Sequence, residues 1–453
     1  MTRSYFFYDL ETSGLDPRSD RIMQFAGMRT NLELEPIGEP VNILVKLNDD
    51  TLPSPHAIMV TKITPQATLA DGISEAEFCK KVSAELFTPG TTIIGYNSVR
   101  FDDEFMRHTF WRNFFDPYEW QWRDGRSRWD LLDVVRMTRA LRPAGINWPV
   151  RDGKATNRLE LITQENGISH EHAHDALSDV EALLDVTRLI REKQPQLFDY
   201  LFKLRDKKQV QRLVNLENPA PFVYSCGRYS SAHEKTTVAF PLAPSKNGNL
   251  LVFDLRYNLD ELLNDPERDE AATFYPIVKE LRYNRCPAVA PLGVLDQGGA
   301  WERIGLDAAT VEQNMASLAQ HPDFAERMRT QEEEKTDFPP AVDAESALYD
   351  GFLDDIDRRS CEVVRNARPD QLATFTPEFH DERLPELFLH YKARNFADTL
   401  SEAEQRSWEK YRLARIKRQQ NDFIKAIQDL AKTDADRFLL EELQLWYQSL
   451  LPY

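Results

Sequence analysis

A chain of 453 residues exceeds what one hydrophobic core holds, so two or three domains are expected. Its apolar fraction of 42% is that of an ordinary globular protein, and no run approaches the roughly 18 apolar residues of a membrane span. The net charge of −18 argues against a surface that binds polyphosphates at large.

The four cysteines, Cys79, Cys226, Cys286 and Cys361, are widely spaced with no CxxC pair. That excludes a disulfide scaffold or a zinc framework and marks them as reduced core thiols. The apolar run opening at Tyr5 already contains Asp9, so no export signal precedes it. A soluble, cytoplasmic protein is expected.

In chain order, Tyr5–Leu10 is an aromatic, apolar run that ends in acids and turns through Ser13-Gly14-Leu15-Asp16-Pro17; it reads as a strand. Ile22–Met28 and Val41–Leu47 read as the next strands, an antiparallel start. Ser74 with Glu77 forms a capping box that opens a helix to about Phe87. Thr91–Tyr96 is a further short strand, followed by a helix from about Asp102 to Phe115. The next clear helix begins near Asp175 and runs to about Arg191, with Ala176, Val180, Leu183, Leu184 and Ile190 at helical spacing. Alternating strands and helices predict an α/β domain with a mixed sheet over 1–193. Past Gln194-Pro195 the pattern changes. A basic stretch, Lys203–Arg212, precedes β-like runs at Phe222–Ser225, Thr236–Leu242, Leu250–Leu255 and Ala288–Val294, which predict a β-rich domain over 194–349. From Asp350 onward the chain is charge-laced and poor in glycine, so 350–453 is expected to be helical.

Asp9 and Glu11 lie two apart on the first strand, so both face one side. Two carboxylates on a buried strand end repel each other and are costly to desolvate, and a divalent cation resolves both problems. The alternative is a strand end whose acids point into water. Asp102 opens a helix, a position acids also favour through the helix dipole. Asp103 and Glu104 compete with it; Asp102 is preferred as the nearest to the preceding strand end. Asp179 lies on or near the apolar stripe of its helix, where an acid needs a partner. His174, five residues earlier, has the ordinary pKa of a general base at neutral pH, with His170 and His172 as rivals. Three alternate histidines also fit a zinc-binding strand, but no Cys or acid spacing completes one. Four carboxylates and one base are the set that two-metal phosphoryl hydrolysis requires.

From Arg100 to Arg158 the charge balance reverses, with 12 Lys+Arg against 9 Asp+Glu, interleaved with Tyr118, Trp120 and Trp122. That composition suits a focused groove, the alternative being a solvated face. Trp120 and Trp122 alternate, so at least one is expected in the core.

In this order, DLET, GYNSVRFDDEF and HAHDALSDV resemble the three motifs of the DEDD 3′→5′ exonucleases, which share the RNase H-like fold. A histidine five before the last aspartate resembles the His subgroup and selects His174; the other subgroup carries Tyr four before it, where this chain has Asp175. The longer strings SRWDLLDVVRMTRALRPAGINWP, QPQLFDYLF, ALYDGFLDDIDRR and YKARNFADTLSEAEQRSW are similar to those of the exonuclease I family of bacterial single-strand-specific exodeoxyribonucleases, over nearly the whole chain. The resemblance implies a nuclease domain over 1–193, an SH3-like barrel over 194–349 and a helical domain over 350–453. It implies two Mg²⁺, with Mn²⁺ as a substitute, held by Asp9, Glu11, Asp102 and Asp179, with Glu11 and His174 catalytic. The implied reaction releases 5′-mononucleotides from the 3′ end of single-stranded DNA, in repair or recombination. Implied strand contacts are Glu11, Arg107, Tyr118, Trp122, Arg136 and Arg158. Arg142, beside the Pro143 turn, joins them and is a candidate for a pocket that docks the acidic tail of a partner, the single-stranded DNA-binding protein. The family suggests a monomer. Two other readings stand beside this one: a DEDD exoribonuclease, usually a single nuclease domain, and a non-catalytic single-strand-binding scaffold, which should have lost at least one of the five site residues.

Overall fold

The computed structural model describes residues 3–170, 175–265, 274, 277–334 and 340–451. The chain divides into two compact units, one formed by 1–126, 171–181 and 339–453, the other by 127–170 and 182–338.

The first unit is built on β1 (Ser4–Thr12), β2 (Ile22–Thr30), β3 (Val41–Leu44) and β4 (Thr91–Gly95), in the sheet order β3-β2-β1-β4. β1 runs antiparallel to β2 and parallel to β4, the mixed sheet expected. Phe6, Tyr8 and Leu10 enter one core with Phe25, Phe78, Phe87, Phe105 and Phe110, while Tyr5 and Phe7 are buried on the opposite face. A strand covered on both faces reads as a continuous apolar run, and this is why the run YFFYDL lacks alternation.

Two short helices, α1 (Pro55–Thr61) and α2 (Pro65–Asp71), were not expected; each starts with proline in its first turn, where a fixed φ favours the helix. α3 (Glu75–Lys81) carries the expected Ser74/Glu77 capping box and passes into a single wider turn, Val82–Leu86. α4 (Asp102–Arg112) stops short of Phe115, because the Asn113 side chain takes the Thr109 carbonyl at 2.8 Å and Phe114 turns left-handed at φ +62°.

The C-terminal helices Leu384–Asn395, Glu402–Leu430 and Arg437–Leu450 belong to the same unit. Ile416, Phe423, Leu443 and Trp446 share a core with Met23, Leu47, Leu52 and Ile58. Trp111 and Phe114 share another with Leu348, Leu384, Phe388 and Tyr391. The same unit holds a buried ion cluster. Glu345 meets Arg21 at 2.8 Å, Arg394, and Arg415 at 3.8 Å, and accepts from His390 Nδ1 at 3.0 Å. Asp50 meets Arg394 at 2.6 Å, Arg415 at 3.3 Å and Arg21 at 3.5 Å. Arg21 and Arg415 also donate to the Ser19 carbonyl, at 3.2 and 2.5 Å, so the cluster braces the turn that leaves β1.

In the second unit, β5 (Ser127–Asp130), α5 (Leu131–Leu141) and α6 (Leu159–Glu165) precede the antiparallel sheet. α7 (Ala176–Lys193) begins in the first unit and ends in the second. The sheet order is Val278–Leu281, Leu250–Asp254, Thr236–Pro244, Phe222–Ser225, Ala288–Pro291. Four of these strands coincide with the β-like runs. Val278–Leu281 escaped because its charges are inside: Lys279 Nζ sits 4.4 Å from the Tyr229 ring centre, and Glu280 accepts from Ser245 Oγ at 2.8 Å. Helices Ala308–Ala319 and Phe324–Glu334 also lie in the region expected to be β-rich. All four cysteines are free and buried, and no helix among the described residues is long and apolar enough to cross a membrane.

Candidate active site

β1 presents Asp9 and Glu11 on one side, and the first turn of α7 presents Asp179. Their carboxylate oxygens lie within 4.8 Å of one another. Asp102, the first residue of α4, is 4% exposed and stands outside that triplet. Its charge is nevertheless the strongest neighbouring influence on Asp9. Burial, then Asp102, Asp179 and Glu11, push the Asp9 carboxyl well above the usual carboxylate range. Burial, then Asp179, Asp102 and Asp175, raise Glu11 to about 8. Among the described residues, the largest influences on both are burial and neighbouring acids. The cluster is a set of hard oxygen donors whose full ionisation is opposed by its own charge.

The three consecutive acids have different partners. Tyr8, on the core face of β1, donates its hydroxyl to Asp103 at 2.6 Å. Glu104 accepts from Arg107 at 2.7 Å and from the Tyr349 hydroxyl. Asp103 and Glu104 thus each hold a partner in the fold, and of the three Asp102 has the charge that bears most on Asp9. Among the histidines, His170 meets Thr163 Oγ1 at 3.2 Å. His172 and His174, the expected base, lie outside the described residues.

The tryptophans divide as expected. Trp120 is core and stacks on Phe87 at 5.4 Å, whereas Trp122 is 63% exposed. Tyr118 is backed by the Arg107 guanidinium, 5.6 Å from its ring centre. Arg107 itself is buried and directs its donors to Glu104 and to Gln121 at 2.9 Å, which makes it a support for Tyr118. Phe352 escaped the sequence reading. It is 83% exposed, with its ring 6.0 Å from that of Tyr118. The two line a cavity of about 480 Å³ together with Phe115, Arg123, Arg358 and Arg365. Only the exposure of so large an apolar ring marks Phe352, and exposure is not written in the sequence.

Much of the arginine surplus from Arg100 to Arg158 is consumed by the fold. Arg112 pairs with buried Glu75 at 2.8 Å, Arg136 with Asp133 at 2.5 Å, and Arg139 donates to the Pro149 and Thr156 carbonyls. Arg142 donates to the Val294 carbonyl at 3.2 Å. Arg158 is half exposed, 2.5 Å from Glu160. The expectation of an open basic groove is thereby narrowed to a few exposed cations beside exposed aromatic rings.

Three family models match the chain: "Exonuclease" over residues 6–187, "Exonuclease I SH3-like domain" over 205–331 and "Exonuclease I C-terminal domain" over 342–450. The exodeoxyribonuclease I of Haemophilus influenzae is 39% identical over 461 residues, covering 98% of this chain and 97% of that protein. Escherichia coli exonuclease I in complex with a dA16 oligonucleotide superposes with a TM-score of 0.93 at 35% identity, covering 99% of this chain and 100% of that one. A zinc-bound form of the E. coli exonuclease I–single-stranded DNA complex gives 0.91 at 34% identity, with 99% and 100% covered.

Proposed function

The chain belongs to the exonuclease I family, and on that premise we propose that it hydrolyses single-stranded DNA from the 3′ end and releases 5′-mononucleotides. The observation that carries this reading is the convergence of Asp9, Glu11 and Asp179, with the charge of Asp102 beside them. Four ionised carboxylates (−4) are offset by two divalent cations (+4), and an all-oxygen donor set suits Mg²⁺, with Mn²⁺ as a substitute. When bound by these four residues, such cations supply a Lewis acid that acidifies a water and offsets charge on the departing 3′-oxygen.

The chain's own groups do the rest. His174, assigned from the sequence, accepts the proton of the attacking water. Glu11 stands closest in sequence to the turn that leaves β1, where it also meets the terminal nucleotide. Tyr118, Trp122 and Phe352 offer faces on which successive bases stack, and stacking tolerates any sequence. Arg107, Arg136, Arg142 and Arg158 belong to the same strand-binding set, the first through the support it gives Tyr118. The division into nuclease (1–193), SH3-like (194–349) and helical (350–453) domains is part of this reading. So are a monomeric state, a cytoplasmic role in DNA repair or recombination, and docking of the single-stranded DNA-binding protein.

End-labelled single-stranded DNA incubated with Mg²⁺ should yield labelled mononucleotides, and EDTA should stop their release. Matched RNA should be degraded far more slowly. Metal-independent binding with no mononucleotide release would instead identify a scaffold.

A further inference from the structure

We infer that Gln24 and Asp175 form a latch that sets Asp179 against β1, which makes both of them positioning residues for the hydrolysis; the inference rests on the function proposed above. Gln24 lies on β2 directly across from Glu11, and residues opposite one another in an antiparallel pair share a face. It is 6% exposed. Its Nε2 donates to Asn42 Oδ1 on β3 at 2.9 Å and to Asp175 Oδ1 at 3.3 Å. A carboxylate only accepts, so Asp175 fixes which end of the Gln24 amide faces it.

Asp175 passes the constraint on. Its Oδ2 accepts from the Ser178 N–H at 3.2 Å, and its carbonyl accepts from the Asp179 N–H at 3.0 Å. It therefore caps α7 at the turn that carries Asp179. The latch runs from the strand rung beside Glu11, through one amide, to the backbone of the third carboxylate.

The chemistry of the two residues suits this task. Asp175 is a fifth carboxylate whose charge reaches Glu11, so without a partner it would be repelled from the cluster. An arginine could hold it, but would cancel the negative charge that attracts a cation. A neutral amide donor holds it and leaves the charge of the cluster intact. The fold of β2 does not itself call for an amide here. Gln24 Oε1 is buried without a partner among the described residues, and a buried amide with one end unsatisfied is worse than an apolar side chain of the same size. What Gln24 contributes is the bond from Nε2.

The test is a double-mutant cycle read on cation binding. Calorimetric titration of the metal-free protein with Mg²⁺ is compared for wild type, Gln24→Leu, Asp175→Ala and the double variant. In parallel, kcat and KM are measured on end-labelled single-stranded DNA, and Tm by thermal unfolding. Each single variant should bind Mg²⁺ about 10–100-fold more weakly, the effect typical of a group that orients a ligand. The double variant should lose no more than the weaker single, since either change opens the same latch. KM for DNA at saturating Mg²⁺ should stay within about twofold while kcat falls. Asp175→Asn keeps an acceptor for Gln24 and should recover part of the binding. Wild-type Mg²⁺ affinity in Gln24→Leu, or losses that add in the double variant, would overturn the latch. So would a lowered Tm and raised KM with unchanged Mg²⁺ affinity, the mark of general support only. If wild type binds Mg²⁺ yet releases no nucleotide, the proposed function fails while the titrations still decide the latch. If it binds no divalent cation, both fail.

Discussion

Glu345 offers the sharpest test of what holds the nuclease strand in place. It is fully buried and faces Arg21 at 2.8 Å, Arg394, and Arg415 at 3.8 Å, with His390 Nδ1 at 3.0 Å. Replacing it with Gln keeps the volume but leaves three buried guanidinium groups facing Asp50 and, at the Arg415 end, Asp343. Breaking a buried pair from one side costs about 3–5 kcal/mol, because the remaining charge stays desolvated. For a cooperative unit of about 250 residues, 1 kcal/mol corresponds to roughly 2 °C, so Tm should fall by about 6–10 °C. Glu345→Ala should fall further, since it also leaves a cavity.

The pH dependence has a definite sign. Burial alone would raise the Glu345 carboxyl, but Arg394 and Arg21 outweigh it and hold it well below its ordinary 4.5. A depressed folded-state pKa contributes stability that is fully present above the unfolded value and is lost as pH falls through the folded one. The gap between wild type and Glu345→Gln should therefore be complete above about pH 4.5 and close only in stronger acid. Thermal unfolding followed by circular dichroism from pH 3 to 7 measures it. A Tm within about 2 °C of wild type at neutral pH in both variants would refute the assignment of a net-stabilising ion cluster.

At the active site the sign reverses. Burial and the charges of Asp179 and Asp102 raise Glu11 to about 8, so in metal-free protein its stability contribution is lost as pH rises from about 4.5 through 8. Glu11→Gln should raise the metal-free Tm most at pH 8 and above while abolishing nuclease activity; a lowered Tm at pH 8 would contradict this. Mg²⁺ at 100 times its Kd should stabilise wild type by about 2.7 kcal/mol, reversed by EDTA, and the gain should vanish in Glu11→Gln. His174→Ala should reduce kcat by about 10²–10⁴-fold with strand affinity retained, and unchanged kcat would displace it as the base. Phe352→Ala should leave Tm unchanged, as its ring is exposed, yet weaken single-strand binding by about 1–3 kcal/mol in an anisotropy titration.

What the sequence conveys and what it withholds follow from the range of the interactions concerned. The Ser74/Glu77 cap spans three residues and is legible, as are the strands whose alternation or aromatic density is local. Asp9 and Glu11 are legible as a pair because a strand fixes their common face. The preference for Asp102 over Asp103 and Glu104 could only be argued from position, since the partner of Asp103, Tyr8, lies 95 residues away in sequence, and Tyr349, a partner of Glu104, 245 away. Lys279 and Glu280 hide a strand because a buried charge breaks the pattern used to find one. Gln24 carries no signal at all, since an amide on a strand acquires meaning only through Asp175.

The same limit explains why composition cannot tell the two acidic clusters apart. Glu345 with Asp50 and Glu11 with Asp9 are alike in residue type, though the first pair is fully enclosed and Asp9 is only half-buried, and the fold treats them oppositely. Around Glu345 and Asp50 it gathers three arginines, and both carboxyls are driven down. Around Asp9 and Glu11 it gathers further acids, which with burial are the largest influences on them among the described residues, and both are driven up. A fold stabilised throughout by its own pairings would treat the second cluster as it treats the first. Leaving like charges buried and uncompensated lowers the stability of the metal-free chain and is consistent with a site completed from outside. A cluster that the chain neutralises by itself holds the structure, and the one left among like charges is the donor set on which the proposed cation binding rests.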